Sequence, residues 1–124
     1  VNGPRASLAE SFRHAIEGIG YAIRQERHMR FHVGAAIAAA AAGIWLRIPA
    51  GGWLWLGAAV SAVWTTELIN TAVERTVDLA TPERHPLAKA AKDAAAGAVL
   101  VAASFAVFVG LVVLAPPLCR LLFG

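Results

Sequence analysis

Apolar runs and charged segments alternate along this chain, and the spacing within each predicts helices throughout. Leu8, Phe12, Ala15, Ile16, Ile19 and Ile23 recur at helical intervals opposite Arg13, Glu17 and Arg24. That pattern predicts an amphipathic helix over about residues 7–28, lying in a membrane interface. Ser7 and Glu10 have the spacing of a capping box at its start. Val1 to Pro4 read as a disordered lead-in and not as a signal peptide, because no apolar stretch with a cleavage site follows.

A first span is expected over about residues 31–48. Its fully apolar part, Val33 to Leu46, is short for a hydrocarbon core of ~30 Å, so His32 and Arg47 are expected to snorkel from its ends. Pro49-Ala50-Gly51-Gly52 predicts a tight external turn. A second span is expected over about residues 53–73, with Trp53, Trp55 and Trp64 as interface anchors. Its helix should continue to about Leu79, where Thr81-Pro82 breaks it. A third helix opens at His85-Pro86; its lipid part, Ala94 to Ala115, covers ~33 Å at 1.5 Å per residue. Pro116-Pro117 are expected to stop it.

Four polar residues interrupt the second helix on one side only: Glu67, Asn70, Glu74 and Asp78. At about 100° per residue, these spacings hold all four within roughly a third of the circumference. A carboxylate costs about 2.5–3.5 kcal/mol at the bilayer centre on insertion scales, so a shared stripe points to chemistry. Glu74, nearer the cytoplasm, suits Mg²⁺, which prefers one or two carboxylates plus substrate phosphates. Glu67 lies deeper, within reach of an interfacial lipid hydroxyl. Desolvation there favours the neutral form of a carboxyl group, as general-base work near neutral pH requires. Acids on a helix leaving the membrane are the plain alternative, but solvated acids need not share a face.

Composition fixes the class. Hydrophobic residues make up 58% and mean hydropathy is +0.60, above the roughly 45–50% apolar usage of soluble domains. A chain of 124 residues buries too small a fraction of its area to hide that surface in water. The formal charge of +3 is unevenly placed. Arg5, Arg13, Arg24, Arg27 and Arg30 precede the first span, and Arg75, Arg84, Lys89 and Lys92 lie between the second and third. Only Arg47 and Arg120 remain of the 11 basic residues. This positive-inside bias puts the N-terminus and second loop in the cytoplasm. No stacking aromatics interleave the basic residues, which argues against nucleic acid as a partner. Cys119 is alone, so an internal disulfide is excluded. Alanine and glycine crowd the first and third spans, allowing close helix approach. Three thin helices surround a polar site poorly, so a homo-oligomer sharing sites between subunits is expected.

Two further clusters carry charge. Glu26-Arg27-His28-Met29-Arg30-Phe31-His32 stands where the amphipathic helix meets the first span; adding Glu26 to Glu74 would make a two-carboxylate metal site. His85-Pro86-Leu87-Ala88-Lys89-Ala90-Ala91-Lys92-Asp93 opens the third helix, combining a helix dipole with two lysines. Both also serve as anchors for anionic lipid headgroups. There is no GxxxxGK[ST] or GxGxxG loop, no Cys/His ligand set and no Ser-His-Asp arrangement. A nucleotide would have to be held by carboxylates, lysines and a metal.

The run Glu67-Leu-Ile-Asn70-Thr-Ala-Val-Glu74-Arg-Thr-Val-Asp78-Leu, followed by His85-Pro-Leu-Ala-Lys89-Ala-Ala-Lys92-Asp93, resembles the small prokaryotic diacylglycerol kinase family. Ser11-Phe12-Arg13-His14-Ala15-Ile16-Glu17-Gly18 and the Glu26 to His32 segment resemble it too. The resemblance covers nearly the whole chain, and implies one integral membrane lipid kinase domain over residues 1–124. It implies an all-α membrane protein with an N-terminal amphipathic surface helix and three transmembrane helices, homotrimeric in the bacterial inner membrane. It also implies ATP- and Mg²⁺-dependent phosphorylation of a lipid alcohol. By position, Glu67 would be the general base, and Glu26 and Glu74 the metal-bridging acids that also meet nucleotide. His14, Glu83, Arg84, His85, Lys92 and Asp93 would complete the nucleotide contacts. Glu67 and Arg30 would meet the lipid, with Asn70 and Asp78 supporting.

The Glu-Arg-x-x-Arg-x-His form at Glu26 to His32 resembles the undecaprenol kinase branch; the diacylglycerol branch more often places an acid at His32. Diacylglycerol is the alternative substrate. An oligomeric channel or transporter with the stripe lining an ion path is the rival from another class, and a structural subunit is a third.

Overall fold

The computed structural model describes residues 7–124 as four helices, with no strand among them: α1 (Leu8–Gln25), α2 (Arg27–Leu46), α3 (Ala50–Ala80) and α4 (Pro86–Phe123). The expected Val1–Pro4 lead-in lies outside the described residues. Ser7 caps α1 as its spacing requires: its Oγ accepts from the Glu10 N–H at 3.2 Å, and the Ser7 N–H donates to Glu10 Oε2 at 3.3 Å. Leu8, Phe12 and Ile16 stand exposed on one side of α1, the apolar stripe of an interfacial helix. The Arg13–Glu17 pair on the opposite side is exposed and adds little stability.

A single extended residue, Glu26, separates α1 from α2, so the second helix starts before Phe31. Arg30 closes this junction, its Nη1 donating to the Ile23 carbonyl at 3.0 Å and the Arg24 carbonyl at 2.9 Å. Those carbonyls belong to the last turn of α1 and have no partner within the helix. Met29 packs behind the junction with no exposure.

α2 and α4 are the two helices long and apolar enough to cross a membrane. α3 falls short by hydropathy because its glycines, tryptophans and polar stripe dilute its apolar residues. It nonetheless packs most extensively of all, against α4. Ile48, Leu56, Ala59 and Val109 form the core between them, with Trp55 edge-on to Phe105 at 6.4 Å.

Three expectations need correction. The turn between α2 and α3 is not at Pro49–Gly52: it is made by Arg47, Ile48 and Pro49, and Ala50 already begins α3. Arg47 takes the left-handed conformation (φ 53°), and its N–H and that of Ile48 satisfy carbonyls of the last turn of α2. Glycine usually fills that position. Pro116-Pro117 do not stop α4, which runs on to Phe123. Prolines remove the two donors for residues 112 and 113, yet their fixed φ suits a helix. Val113 and Leu114, just before the prolines, pack against the core that includes Ile48, and such packing lets membrane helices carry internal prolines. Trp64 is no interface anchor. It sits half-buried midway along α3, facing a groove between α2, α3 and α4.

Gly43 on α2 lies hard against Trp53 and Ile48. A Cβ there would lie 2.8 Å from the Trp53 ring and 3.1 Å from Ile48. Gly43→Val is therefore expected to pry the turn open at a cost of about 1–3 kcal/mol. Thermal unfolding in detergent micelles reads this as a lowered midpoint; an unchanged midpoint would show that Trp53 swings away freely.

Candidate active site

Every residue of the polar stripe lies on α3, but the structure divides the stripe between two settings. The inner part is buried. Glu67 is 2% exposed and Asn70 is 8% exposed. Glu67 Oε2 lies 3.5 Å from Nε2 of His32 on α2. His32 therefore turns inward to the acid and does not snorkel toward water. Thr71, also buried, returns its hydroxyl to the Glu67 carbonyl at 3.1 Å, so its polar atom is satisfied without disturbing the site. One turn further on, Asn70 Nδ2 donates to Glu74 Oε1 at 3.2 Å. Donation to a carboxylate fixes the amide's orientation, since the flipped form would set oxygen against oxygen. The Asn70 Oδ1 is left buried without a partner.

Arg75 ties this helix to the junction of α1 and α2. Its Nη2 donates to Glu26 Oε1 at 2.6 Å, and its Nη1 lies 3.8 Å from Glu74 Oε2. Its Nε donates to the Tyr21 hydroxyl at 2.8 Å. Tyr21 and then Glu26, through these hydrogen bonds, hold the guanidinium above its ordinary pKa, so it stays cationic throughout the working range. Glu26 and Glu74, 48 positions apart in sequence, thus flank one cation. The two carboxylates are close enough to share one cation. They offer hard oxygen donors, which is what Mg²⁺ takes, and Asn70, whose amide nitrogen meets Glu74, carries a further unpartnered oxygen. No group of three His, Cys, Asp or Glu side chains closes on one point among the described residues. An ion here would need phosphate oxygens to complete its shell, as Mg²⁺ sites commonly do. The residues fit the group.

The outer part of the stripe faces a cleft of about 670 Å³ at the α3–α4 loop, lined by Asp78, Glu83, Arg84, His85, Lys92 and Asp93 among others. His85 is one of its lining residues. It caps α4 with Nδ1 accepting the Leu87 N–H at 3.1 Å, and Pro86 follows at the first helical position, where its missing N–H costs nothing. Lys92 Nζ reaches Asp78 at 2.5 Å, and Lys89 Nζ reaches Asp93 at 2.6 Å, which raises the Lys89 pKa. These pairs are solvent-exposed and individually weak, so a polyphosphate can exchange for the carboxylates on the same lysines.

The structure thus places Glu67, Asn70 and Glu74 along one inner stretch of α3, with Glu26 joined to its outer end through Arg75, and Asp78, Glu83, Arg84, His85, Lys92 and Asp93 at the next level. The helix face from Glu74 to Asp78 joins them. Two candidates stand apart: Arg30 is engaged with the end of α1, and His14 is exposed on α1 with no hydrogen bond or ion pair.

The chain matches the description "Prokaryotic diacylglycerol kinase" over residues 13–114, which includes every residue of both levels. It is 44% identical over 109 residues to the undecaprenol kinase of Bacillus subtilis, covering 88% of this chain and 89% of that protein. It is 43% identical over 117 residues to a diacylglycerol kinase of Synechocystis, covering 94% of this chain and 67% of that protein. The chain belongs to the prokaryotic diacylglycerol kinase family. As a member of that family it is a membrane lipid kinase.

Two residues that the structure joins to the candidate site, Arg75 and His32, are not legible as such in the sequence. Arg75 reads as one more cytoplasmic charge, and its partner Glu26 is 49 positions away. His32 reads as an end-of-span residue. Its only local signal is that it follows Met29 by three, on the buried side of the helix turn.

Proposed function

We propose that this protein is an undecaprenol kinase, using ATP and Mg²⁺ to phosphorylate the lipid alcohol at the cytoplasmic face of the bacterial inner membrane. The observation that carries it is the buried Glu67 carboxylate on the same helix face as the cation-bridged Glu74–Glu26 pair. The Bacillus relative is matched over nearly its whole length, which favours the polyprenol over diacylglycerol.

In this mechanism α3 is the third membrane-crossing helix, with α1 lying on the cytoplasmic surface. Tyr21 of α1 meets Arg75 of α3, so the surface helix and the outer stripe share one end, as the positive-inside bias requires. ATP enters the loop cleft, where Lys92, Arg84 and His85 meet its phosphates and ribose while Glu83 and Asp93 border them. Glu26 and Glu74 would hold Mg²⁺, which when bound would neutralise charge on the phosphates. The lipid hydroxyl approaches from the bilayer. Glu67, held from one side by His32, accepts its proton as the oxygen attacks the γ-phosphorus in line, and ADP leaves. The general base accounts for about 10²–10⁴-fold; positioning and electrostatics carry the remainder. A homotrimer is the expected assembly. The exposed alanines of α2 offer close-packing surface, and one subunit alone leaves the Glu26–Glu74 level open to one side.

Purified protein in mixed micelles, given γ-labelled ATP and equal mole fractions of undecaprenol and diacylglycerol, is expected to label the polyprenol faster. Faster labelling of diacylglycerol would reassign the substrate. Ion flux in liposomes without labelling of either lipid would overturn the kinase.

A further inference from the structure

Just beyond Glu67, away from the nucleotide, an intramembrane groove of about 220 Å³ runs between α2, α3 and α4. Its walls are small or apolar, with Ala36 and Ala39 on α2 facing Ala103 and Ala106 on α4. Only two lining side chains carry polar atoms, His32 and Trp64. His32 is the residue that touches Glu67. Trp64 precedes Glu67 by three positions and so lies on the same side of α3, one turn further from the cytoplasm.

The Trp64 Nε1 is buried and has no hydrogen-bond partner. A buried unmade N–H costs as much as a lost hydrogen bond, and an indole nitrogen can only donate. Neither the fold nor the nucleotide level accounts for this donor: α3 and α4 pack through Leu56, Ala59 and Val109 instead. A groove with His32 and Trp64 at its polar end and hydrocarbon beyond is complementary to an amphiphile with one oxygen and a long chain, which a small turn of the indole would bring to the orphan N–H.

We propose that Trp64 is a substrate-contacting residue that donates its indole N–H to the oxygen of the lipid alcohol, while the alanine walls hold the first part of its chain. This rests on the lipid-kinase function proposed above and deepens it. The alcohol oxygen accepts from Trp64 and its own hydrogen points to Glu67. One lone pair remains for attack on phosphorus. The narrow walls favour a single slim chain over two acyl chains sharing a glycerol.

Trp64→Phe removes the donor and keeps an aromatic ring. Its KM for undecaprenol is expected to rise about five- to tenfold with the KM for ATP unchanged. Lipid-free Trp64→Phe should melt no lower than the wild type, because a strained orphan has gone, while added undecaprenol should raise its melting temperature less. A second variant, Ala106→Leu, narrows the groove from α4 and should weaken undecaprenol more than a short-chain alcohol. If wild type and Trp64→Phe show the same lipid KM and the same lipid-dependent stabilisation, Trp64 does not touch the substrate. If Ala106→Leu leaves both alcohols unaffected, the chain lies elsewhere, as it would were a second copy's helix filling the groove. Failure of the wild type to phosphorylate any lipid would instead defeat the kinase assignment, so the two failures are separable.

Discussion

Glu67→Gln is expected to lower turnover by at least 10²–10⁴-fold, the range a positioned general base supplies, while the protein remains folded. The amide is nearly isosteric with the carboxylate, and it fills the same buried site facing His32 at 3.5 Å. The amide keeps an oxygen acceptor facing the His32 ring, so the thermal midpoint should stay close to that of the wild type. Nucleotide affinity should change little, because Glu67 lies beyond the Glu74 level, toward the lipid. Rate, melting temperature and nucleotide KM measured on one preparation check all three. Near-normal turnover by folded Glu67→Gln protein would remove Glu67 from the role of base.

Glu74→Ala should act on the other substrate. It deletes the acceptor of the Asn70 amide and one of the two carboxylates flanking Arg75. Contacts to charged groups are worth about 1.5–3 kcal/mol, a factor of roughly 10–150 in affinity. The KM for Mg²⁺-ATP should rise by about that factor, and raising free Mg²⁺ should recover part of the loss. The KM for the lipid should stay within about twofold of the wild type, since small distant effects fall within ~0.5 kcal/mol. A Glu74→Ala enzyme that loses lipid affinity instead would place the metal away from this acid.

Periodicity reveals what one helix does alone. The stripe of Glu67, Asn70, Glu74 and Asp78 is a statement about angles around one axis, and the angles survive folding. The same holds for the Ser7–Glu10 cap and for the start of α4 at His85-Pro86, both settled by neighbours within four residues. What depends on another element was harder to read. Arg75 gains its meaning only when the α1–α2 junction brings Glu26 to it, and His32 only when α2 lies along α3. The Pro116-Pro117 stop failed for a related reason: a rule drawn from local hydrogen bonding is overridden where the preceding turn, at Val113 and Leu114, packs on the Ile48 core. Trp64 was misjudged because tryptophan's usual place at a lipid interface says nothing of a groove made by three helices.

The structural claim at the centre is that a buried acidic face on α3 joins a lipid alcohol to a magnesium-bound nucleotide. Its most direct test is an experimental structure of the protein with Mg²⁺ and a non-hydrolysable ATP analogue in lipid. The expected density places the ion between the Glu26 and Glu74 carboxylates, with Arg75 drawn aside and the terminal phosphate toward Glu67. An ion held instead by Asp78 and Asp93 at the loop, with Arg75 still clamped between its two acids, would contradict it.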